Sequence, residues 1–265
     1  MKLLFSIANG LLLMFAGCAT AQEQTNVPPA TSDTVASTST DNTLLPRAET
    51  LLHSACDFLA QAPAFSFKGE TWREHLNDEG QKIQFSRSVE MDVKRPDGLR
   101  LEISSPSSER CFWYDGKTLT ILDRTHNWYS TAAMPPTLDD AIDSARDDYG
   151  IDLPLIDFAV SDPYTNAIAK VESAKYYGIG PVLGVPCYHL AFAQQNVDWQ
   201  IWIEVGPQPL IRKFVITHKN DPGQPEFTAF ITSWDLTDRI ADSDFVFTAP
   251  VSASKIEMRK DQSAH

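Results

Sequence analysis

Apolar and polar residues alternate along much of the chain, which is the pattern of a β-strand with one buried and one solvated face. The clearest run spans residues 83–93, where the apolar positions are Ile83, Phe85, Val89, Met91 and Val93. Only Arg87 interrupts that apolar side. The pattern predicts about six strands before residue 137 and about five or six after residue 170.

Two aromatic-rich apolar runs flank the pair Asp115 and Gly116. Aspartate and glycine tolerate the positive φ angles of a two-residue turn, so this stretch predicts a β-hairpin. Such a turn places Phe112 opposite Leu119 on the inward face and directs Cys111 to the other face.

Two segments instead have the period of amphipathic helices. The first is 46–62, with its apolar stripe at Leu51, Leu52, Ala55, Cys56 and Leu59. The second lies within an insertion at 137–170, where Thr137 is a suitable N-cap and Gly150 a suitable stop. The fold class predicted is α+β, mainly β. It is a curved antiparallel half-barrel sheet of about 11 strands, with the N-terminal helix and the helical insertion as a lid.

The N-terminus has the layout of a signal peptide, because Lys2 is followed by a short apolar run that ends at Cys18. The tetrapeptide at 15–18 resembles a bacterial lipobox, although Phe15 stands where leucine is usual. This predicts acylation of Cys18, and Ala19 resembles the residue that follows the cysteine of lipoproteins delivered to the outer membrane. The alternative is cleavage after Ala21, which would release a soluble periplasmic protein.

Residues 22–45 are rich in serine, threonine, proline and asparagine and show no period. Such a segment buries too little apolar surface to offset the entropy of ordering it, so a flexible tether is expected. The predicted organisation is a signal peptide over 1–18, a tether over 19–45 and one domain over 46–260.

Catalytic and metal-binding motifs are missing from the sequence. It has no nucleophile elbow, P-loop, dinucleotide fingerprint or zinc-protease motif, and its six histidines are not spaced as local metal ligands. The net charge of −13 without a basic cluster argues against nucleic acid. We therefore predict no enzyme, metal or cofactor. An envelope hydrolase assembled from distant histidines and carboxylates is the weakest alternative.

Three cysteines remain besides the lipobox residue, namely Cys56, Cys111 and Cys187. In an oxidising compartment any one of three pairs could form and leave one thiol over. The sequence leaves this pairing open.

Inward-facing aromatic and aliphatic residues give the candidate ligand site. In a filled barrel they only pack, whereas in an open curled sheet they line an apolar concavity suited to acyl chains. The candidate ligand-binding residues are Phe67, Phe85, Met91, Leu101, Phe112 and Leu119. The sequence leaves core and cavity both open.

Several stretches together resemble an uncharacterised bacterial family of predicted periplasmic proteins. They are KRPDGLRLEI (94–103), FWYDGKTLTILD (112–123), DDYGIDLPLIDFAVSDPY (147–164), GVPCYHLAF (184–192), VDWQIWIE (197–204) and PLIRKFVIT (209–217). The similarity runs from Leu51 to Ile256. More remotely, the R-P…L-R…E run followed by Y-D-G-K-T-L resembles the LolA/LolB lipoprotein carriers and RseB-type envelope sensors. That resemblance implies a half-barrel with a helical lid and a hydrophobic cavity.

The leading hypothesis is a non-enzymatic envelope lipoprotein that binds a hydrophobic ligand in the concave face of its sheet. The expected partners are a lipid or acyl chain, a lipoprotein, and the membrane through the lipid anchor. The alternative is an envelope sensor or adaptor that acts through a protein partner and has a filled core.

Overall fold

The computed structural model describes residues 44–237 and 239–261. The helices are α1 (Leu44–Ala60), α2 (Leu138–Tyr149) and α3 (Pro163–Ile168), with short 3₁₀ helices at Ile156–Phe158 and Asp242–Phe245. Cys18, the predicted signal peptide and nearly all of the predicted tether lie outside the described residues. None of the described helices has the length and apolarity needed to span a bilayer.

The strands form one sheet of 12 members in the order β12-β6-β5-β4-β3-β2-β1-β11-β10-β9-β8-β7. Their bounds are β1 (Ala64–Leu76), β2 (Lys82–Lys94), β3 (Gly98–Ser105), β4 (Ser108–Tyr114), β5 (Thr118–Asp123), β6 (Trp128–Ala133), β7 (Ser173–Val182), β8 (Val185–Ala193), β9 (Val197–Glu204), β10 (Ile211–His218), β11 (Glu226–Asp235) and β12 (Ser254–Lys255). All neighbours are antiparallel except the β12–β6 pair.

The sheet is curved and does not close, so the predicted mainly-β half-barrel is confirmed. Strand β1 lies near its middle and pairs with both β2 and β11, which joins the meander before the insertion to the meander after it. The two-residue strand β12 covers one edge, at β6. The other edge, β7, carries the exposed side chains Tyr177 and Ile179, a bulge between Tyr176 and Gly178, and then Pro181.

The predicted register of the β4–β5 hairpin is wrong. Tyr114, and not Phe112, lies opposite Leu119. The Asp115 carboxylate accepts hydrogen bonds from the backbone N–H and the hydroxyl of Thr118, at 2.8 and 3.2 Å, and this lengthens the loop. The register differs from the predicted one by an even number of residues, so Phe112 and Leu119 keep their predicted face of the sheet. Both side chains are buried.

Helices α1 and α2 form as the sequence predicts. The buried stripe of α1 comprises Ala48, Leu52, Ala55, Cys56 and Leu59, while Leu51 is only half-buried. Thr137 caps α2 by accepting a hydrogen bond from the backbone N–H of Asp140 at 3.3 Å. Gly150 ends the helix in the left-handed conformation with φ of 64°, where glycine carries no steric penalty.

The two helical parts cover different halves of the inner face, which is the concave face that bears Phe67 and Met91. Helix α2 packs on β3–β5 through Leu138, Ala141 and Ile142, and only about 20 Å³ of free space remains there. The lid is defined here as α1, residues 150–158 and α3. Its helix α1 packs on β7–β9, and a larger cavity remains between the lid and strands β1, β2 and β9–β11.

The outer face of β4–β6 is covered by the C-terminal segment. The Phe247 ring lies 5.1 Å from both Trp113 and Tyr129 between ring centres. Cys111 and Leu122, which point to this face, are therefore buried as well. The periodic pattern did not reveal this second cover, because the segment that supplies it is short and irregular.

The three described cysteines are free and buried, so none of the pairings left open by the sequence forms in this structure. Burial raises the pKa of Cys56 to about 12 and the pKa values of Cys111 and Cys187 to about 11. All three are therefore protonated thiols at neutral pH.

Candidate functional site

The candidate site is a cavity of about 370 Å³ between the lid and the inner face of the sheet. Ligand sites for small molecules are usually apolar clefts of roughly 300–1,000 Å³. The apolar lining residues are Leu52, Cys56, Leu59, Leu153, Pro154, Leu155, Phe158, Pro163, Ala167, Trp199, Ile201, Ile211, Phe214, Ile216 and Phe227. The cavity therefore offers a largely hydrocarbon surface to a ligand.

Antiparallel pairing arranges the sheet side of the cavity in two neighbouring rows. The first row runs Trp199–Ile216–Phe227–Arg73–Phe85 across β9, β10, β11, β1 and β2. Residues that lie opposite each other on paired strands share a face, so the row forms one continuous surface. It is apolar over three strands and becomes charged at β1.

The second row lies next to the first and is displaced from it by two residues on each strand. It runs Ile201–Phe214–Ala229–Thr71–Arg87. It repeats the same change from apolar to polar side chains, again at β1. Strands β1 and β2 thus form a rim beside an apolar floor, and Phe85 is the one apolar residue among the four rim residues of these two rows.

Exposure identifies this rim as the mouth of the cavity. Phe85 is 57% exposed and Arg87 is also exposed, whereas Trp199 at the other end of the first row is only 2% exposed. A ligand entering from solvent would pass the rim of β1 and β2 before it reaches the floor on β9 and β10.

Charged groups gather at the mouth from several elements. Arg73, Arg87, Arg146, Asp152 and Asp157 all line the cavity. Arg146 also lies 3.8 Å from Asp143 within α2. No ion pair in the described part of the chain includes Arg73 or Arg87.

Burial perturbs several titrating groups at the mouth. It raises the pKa of Asp157 to about 6, an effect that Arg146 opposes. Burial also lowers the pKa of Arg73, with Arg87 acting in the same direction as a like charge. The pKa of His75 is lowered by burial and then by these two arginines, which favours the neutral imidazole.

Residues 150–154 separate this cavity from a second one of about 640 Å³. The second cavity extends over β3–β6 and has a more polar lining that includes Ser105, Ser108 and Arg110. Arg87 lines both cavities and so stands at their junction.

The structure separates the six side chains that the sequence indicated as candidate ligand contacts. Phe85 lines the first cavity, Phe112 lines the second, and Leu119 lies in the small space under α2. The remaining three are buried in the core and line none of these cavities; they are Phe67, Met91 and Leu101. A ligand role for the six residues stays a prediction.

Sequence reasoning missed most of the residues that line the first cavity. The floor depends on the pairing of β9 with β10 and, through β11, with β1, and these contacts join residues far apart in sequence. The one available signal for the rim was Arg87, an arginine on the apolar side of an otherwise regular strand.

The described residues contain no cluster of three or more His, Cys, Asp or Glu side chains able to hold a metal ion. Cys56 is the thiol in the cavity wall, and its raised pKa keeps it protonated and a poor nucleophile. His75 makes a ring contact with Phe85 at 5.6 Å. The chemistry of these side chains suits binding.

Comparison with known proteins places the chain in a family. A model described as "Predicted periplasmic protein (DUF2092)" matches residues 48–259. No curated protein matches the chain.

Several solved structures overlap with this one in part. Lipoprotein LppX from Mycobacterium tuberculosis has 9% identity and a TM-score of 0.46, with 74% of this chain and 98% of that chain covered. LprF from Mycobacterium bovis has 13% identity and a TM-score of 0.44, with 80% and 99% covered. A LolA superfamily protein from Nitrosomonas europaea has 9% identity and a TM-score of 0.36, with 76% and 97% covered.

The family match begins within α1 and ends after β12, so it includes both halves of the sheet and the helices between them. The family resemblance read from the sequence between Leu51 and Ile256 is confirmed. The chain therefore belongs to the DUF2092 family of predicted periplasmic proteins.

Proposed function

We propose that the protein is a non-enzymatic binding protein of the cell envelope that holds a lipid, an acyl chain or a lipidated partner in its first cavity. The observation that carries this proposal is the apolar cavity of about 370 Å³ between the lid and the sheet. Each methylene removed from water contributes about 0.8 kcal/mol. A chain of about ten methylenes would therefore gain roughly 8 kcal/mol before the cost of ordering it.

A binding role also fits the side chains around the cavity. The Cys56 thiol is protonated, and the His75 ring contacts an aromatic side chain. An envelope hydrolase would need a nucleophile, a base and an orienting acid within hydrogen-bonding reach of one another. The hydrogen bonds and ion pairs of the described residues include no such set at this cavity.

The proposal is tested by narrowing the cavity from the side of the lid. Ala167 of α3 lines the cavity and is half-buried, so Ala167→Trp would fill the space without disturbing the sheet. Both proteins would be full chains that carry Cys18→Ser, recovered from the periplasm of an expressing bacterium without detergent. We expect native mass spectrometry and lipid extraction to show a bound lipid, and its occupancy to fall at least about fivefold in Ala167→Trp.

Ala169→Trp is the matched control, because Ala169 follows the same helix but is exposed and does not line the cavity. It should retain lipid as the parent does. A parent protein that carries no lipid and takes up none from vesicles would refute the proposed function and favour the adaptor with a filled core.

We further propose that Cys18 is acylated and anchors the protein in the outer membrane, facing the periplasm. Two acyl chains on one cysteine bind a membrane stably. In the natural host, Cys18→Ser is expected to move the protein from the outer-membrane fraction to the soluble periplasmic fraction and to remove the acyl mass from its N-terminal peptide. A wild-type protein already cleaved after Ala21 would exclude the anchor.

A further inference from the structure

The first cavity has a charge distribution opposite to that of the whole chain. The protein has a net charge of −13, yet the mouth of the cavity carries three guanidinium groups against the carboxylates of Asp152 and Asp157. The lining of the cavity thus holds three guanidinium groups and two carboxylates, on a chain in which acids outnumber bases overall.

Two of the three guanidinium groups stand next to each other and lack a carboxylate partner. Arg73 lies opposite Phe85 on β2, and Arg87 is two residues further along that strand. Diagonal neighbours of this kind are about 7–8 Å apart at the backbone, so their long side chains reach the same volume. The pKa of Arg73 is lowered partly by Arg87, as expected of like charges in mutual range.

Arg146 is distinct from this pair. Its guanidinium Nη1 lies 3.8 Å from a carboxylate oxygen of Asp143. Arg146 also lowers the pKa values of Asp152 and Asp157 more strongly than any other cation does. Asp152 also interacts electrostatically with Arg73, although Arg146 lowers its pKa more strongly. Neither Arg73 nor Arg87 forms an ion pair in the described part of the chain. Arg73 and Arg87 keep their capacity to bind an anion from outside the chain.

The position of the arginine pair matches the shape of an amphiphile. In each row of the sheet a polar residue of β1, Arg73 or Thr71, follows directly on three apolar residues, and in the second row Arg87 of β2 follows in turn. A ligand with a hydrocarbon chain and one anionic end would satisfy the floor and the mouth together.

We propose that Arg73 and Arg87 bind the anionic head group of an amphiphile whose hydrocarbon chain lies in the first cavity. The head group is a carboxylate or a phosphate, because arginine matches both in paired hydrogen-bonding geometry. This inference rests on the proposed function and adds selection by charge to it. A neutral lipid of equal chain length would fill the floor but leave the arginines without a partner.

The test compares three probes of equal chain length below their micellar concentrations: a free fatty acid, a lysophosphatidylglycerol and a monoacylglycerol. Each is titrated calorimetrically into the delipidated full chain carrying Cys18→Ser. We expect at least one anionic probe to bind about tenfold tighter than the monoacylglycerol, the effect of one charge-assisted hydrogen bond. Which anionic probe is preferred distinguishes a carboxylate from a phosphate ligand.

The double variant Arg73→Gln/Arg87→Gln should lose this preference while it binds the monoacylglycerol as the parent does. Arg73→Lys/Arg87→Lys should keep most of it, which separates charge from folding. The control is Lys175→Gln, since Lys175 is exposed on β7 and lines none of the cavities. Equal affinity of the parent for all three probes, or an unchanged preference in the glutamine variant, would overturn this inference alone. Failure of every probe to bind would overturn the proposed function as well.

Discussion

Replacing Phe67 with alanine is expected to lower the free energy of unfolding by about 3–5 kcal/mol, the range for removal of a fully buried aromatic ring. Phe67 is 2% exposed, and its ring lies 5.1 Å from Trp234 and 5.8 Å from Phe158. The Phe67 side chain, on β1, therefore packs against both β11 and the lid. No neighbouring side chain can fill the space without moving one of these elements.

Urea unfolding followed by circular dichroism would measure this effect, with the transition midpoint as the readout. Phe85→Ala is the matched control, since Phe85 lies on the neighbouring strand and on the same face but is largely exposed. Its truncation should change stability by less than about 0.5–1 kcal/mol. Equal midpoints for Phe67→Ala and the parent would show that Phe67 is not a core residue.

Replacing Arg95 with alanine is expected to destabilise the protein by about 2–4 kcal/mol and to loosen the lid selectively. The Arg95 guanidinium donates hydrogen bonds to the carbonyl oxygens of Ala159 at 2.6 Å, Phe158 at 3.4 Å and Leu59 at 3.5 Å. Two of these carbonyls end the 3₁₀ helix and the third lies near the end of α1. A cation at such carbonyls is favourable. Without it the carbonyls of Phe158 and Ala159 would lose this donor, whereas the Leu59 carbonyl would still accept from the backbone N–H of Ala62 at 3.2 Å.

Hydrogen exchange distinguishes this local effect from general unfolding. In Arg95→Ala, amides of the last turns of α1 and of residues 156–160 should exchange faster than those of β9 and β10, relative to the parent. Arg95→Lys should recover only part of the loss, because an ammonium cannot span three carbonyls as the planar guanidinium does. Uniform acceleration over the whole sheet would contradict a specific role of Arg95 in holding the lid.

The parts of the fold that the sequence could predict are those set by local pattern. The α2 boundaries follow from the cap at Thr137 and the glycine at 150, both of which act within one helical turn. The long hairpin of β1 and β2 follows from alternation and from the turn that contains Gly80, where φ is 79°. These features need no knowledge of distant contacts.

The candidate site could not be predicted in this way, because it depends on which half of the inner face is filled. Met91 and Phe85 lie on the same side of β2, but Met91 is buried in the hydrophobic core and Phe85 is exposed at the mouth of the cavity. Alternation gives the face of a side chain and says nothing of what lies above it. The pairing of Arg73 with Phe227 joins residues in different meanders, which no local signal reports.

The open edge at β7 has a consequence for how several copies of the chain would behave when they meet. An uncovered strand offers its backbone groups to any other extended chain and so favours polymerisation. In β7 the bulge after Tyr176, the φ of 102° at Gly178 and the missing N–H of Pro181 interrupt that row of groups. An incoming strand could therefore form backbone hydrogen bonds with only short stretches of β7. The chain can therefore keep an open sheet, and the accessible concavity that goes with it, without inviting its neighbours to form fibres.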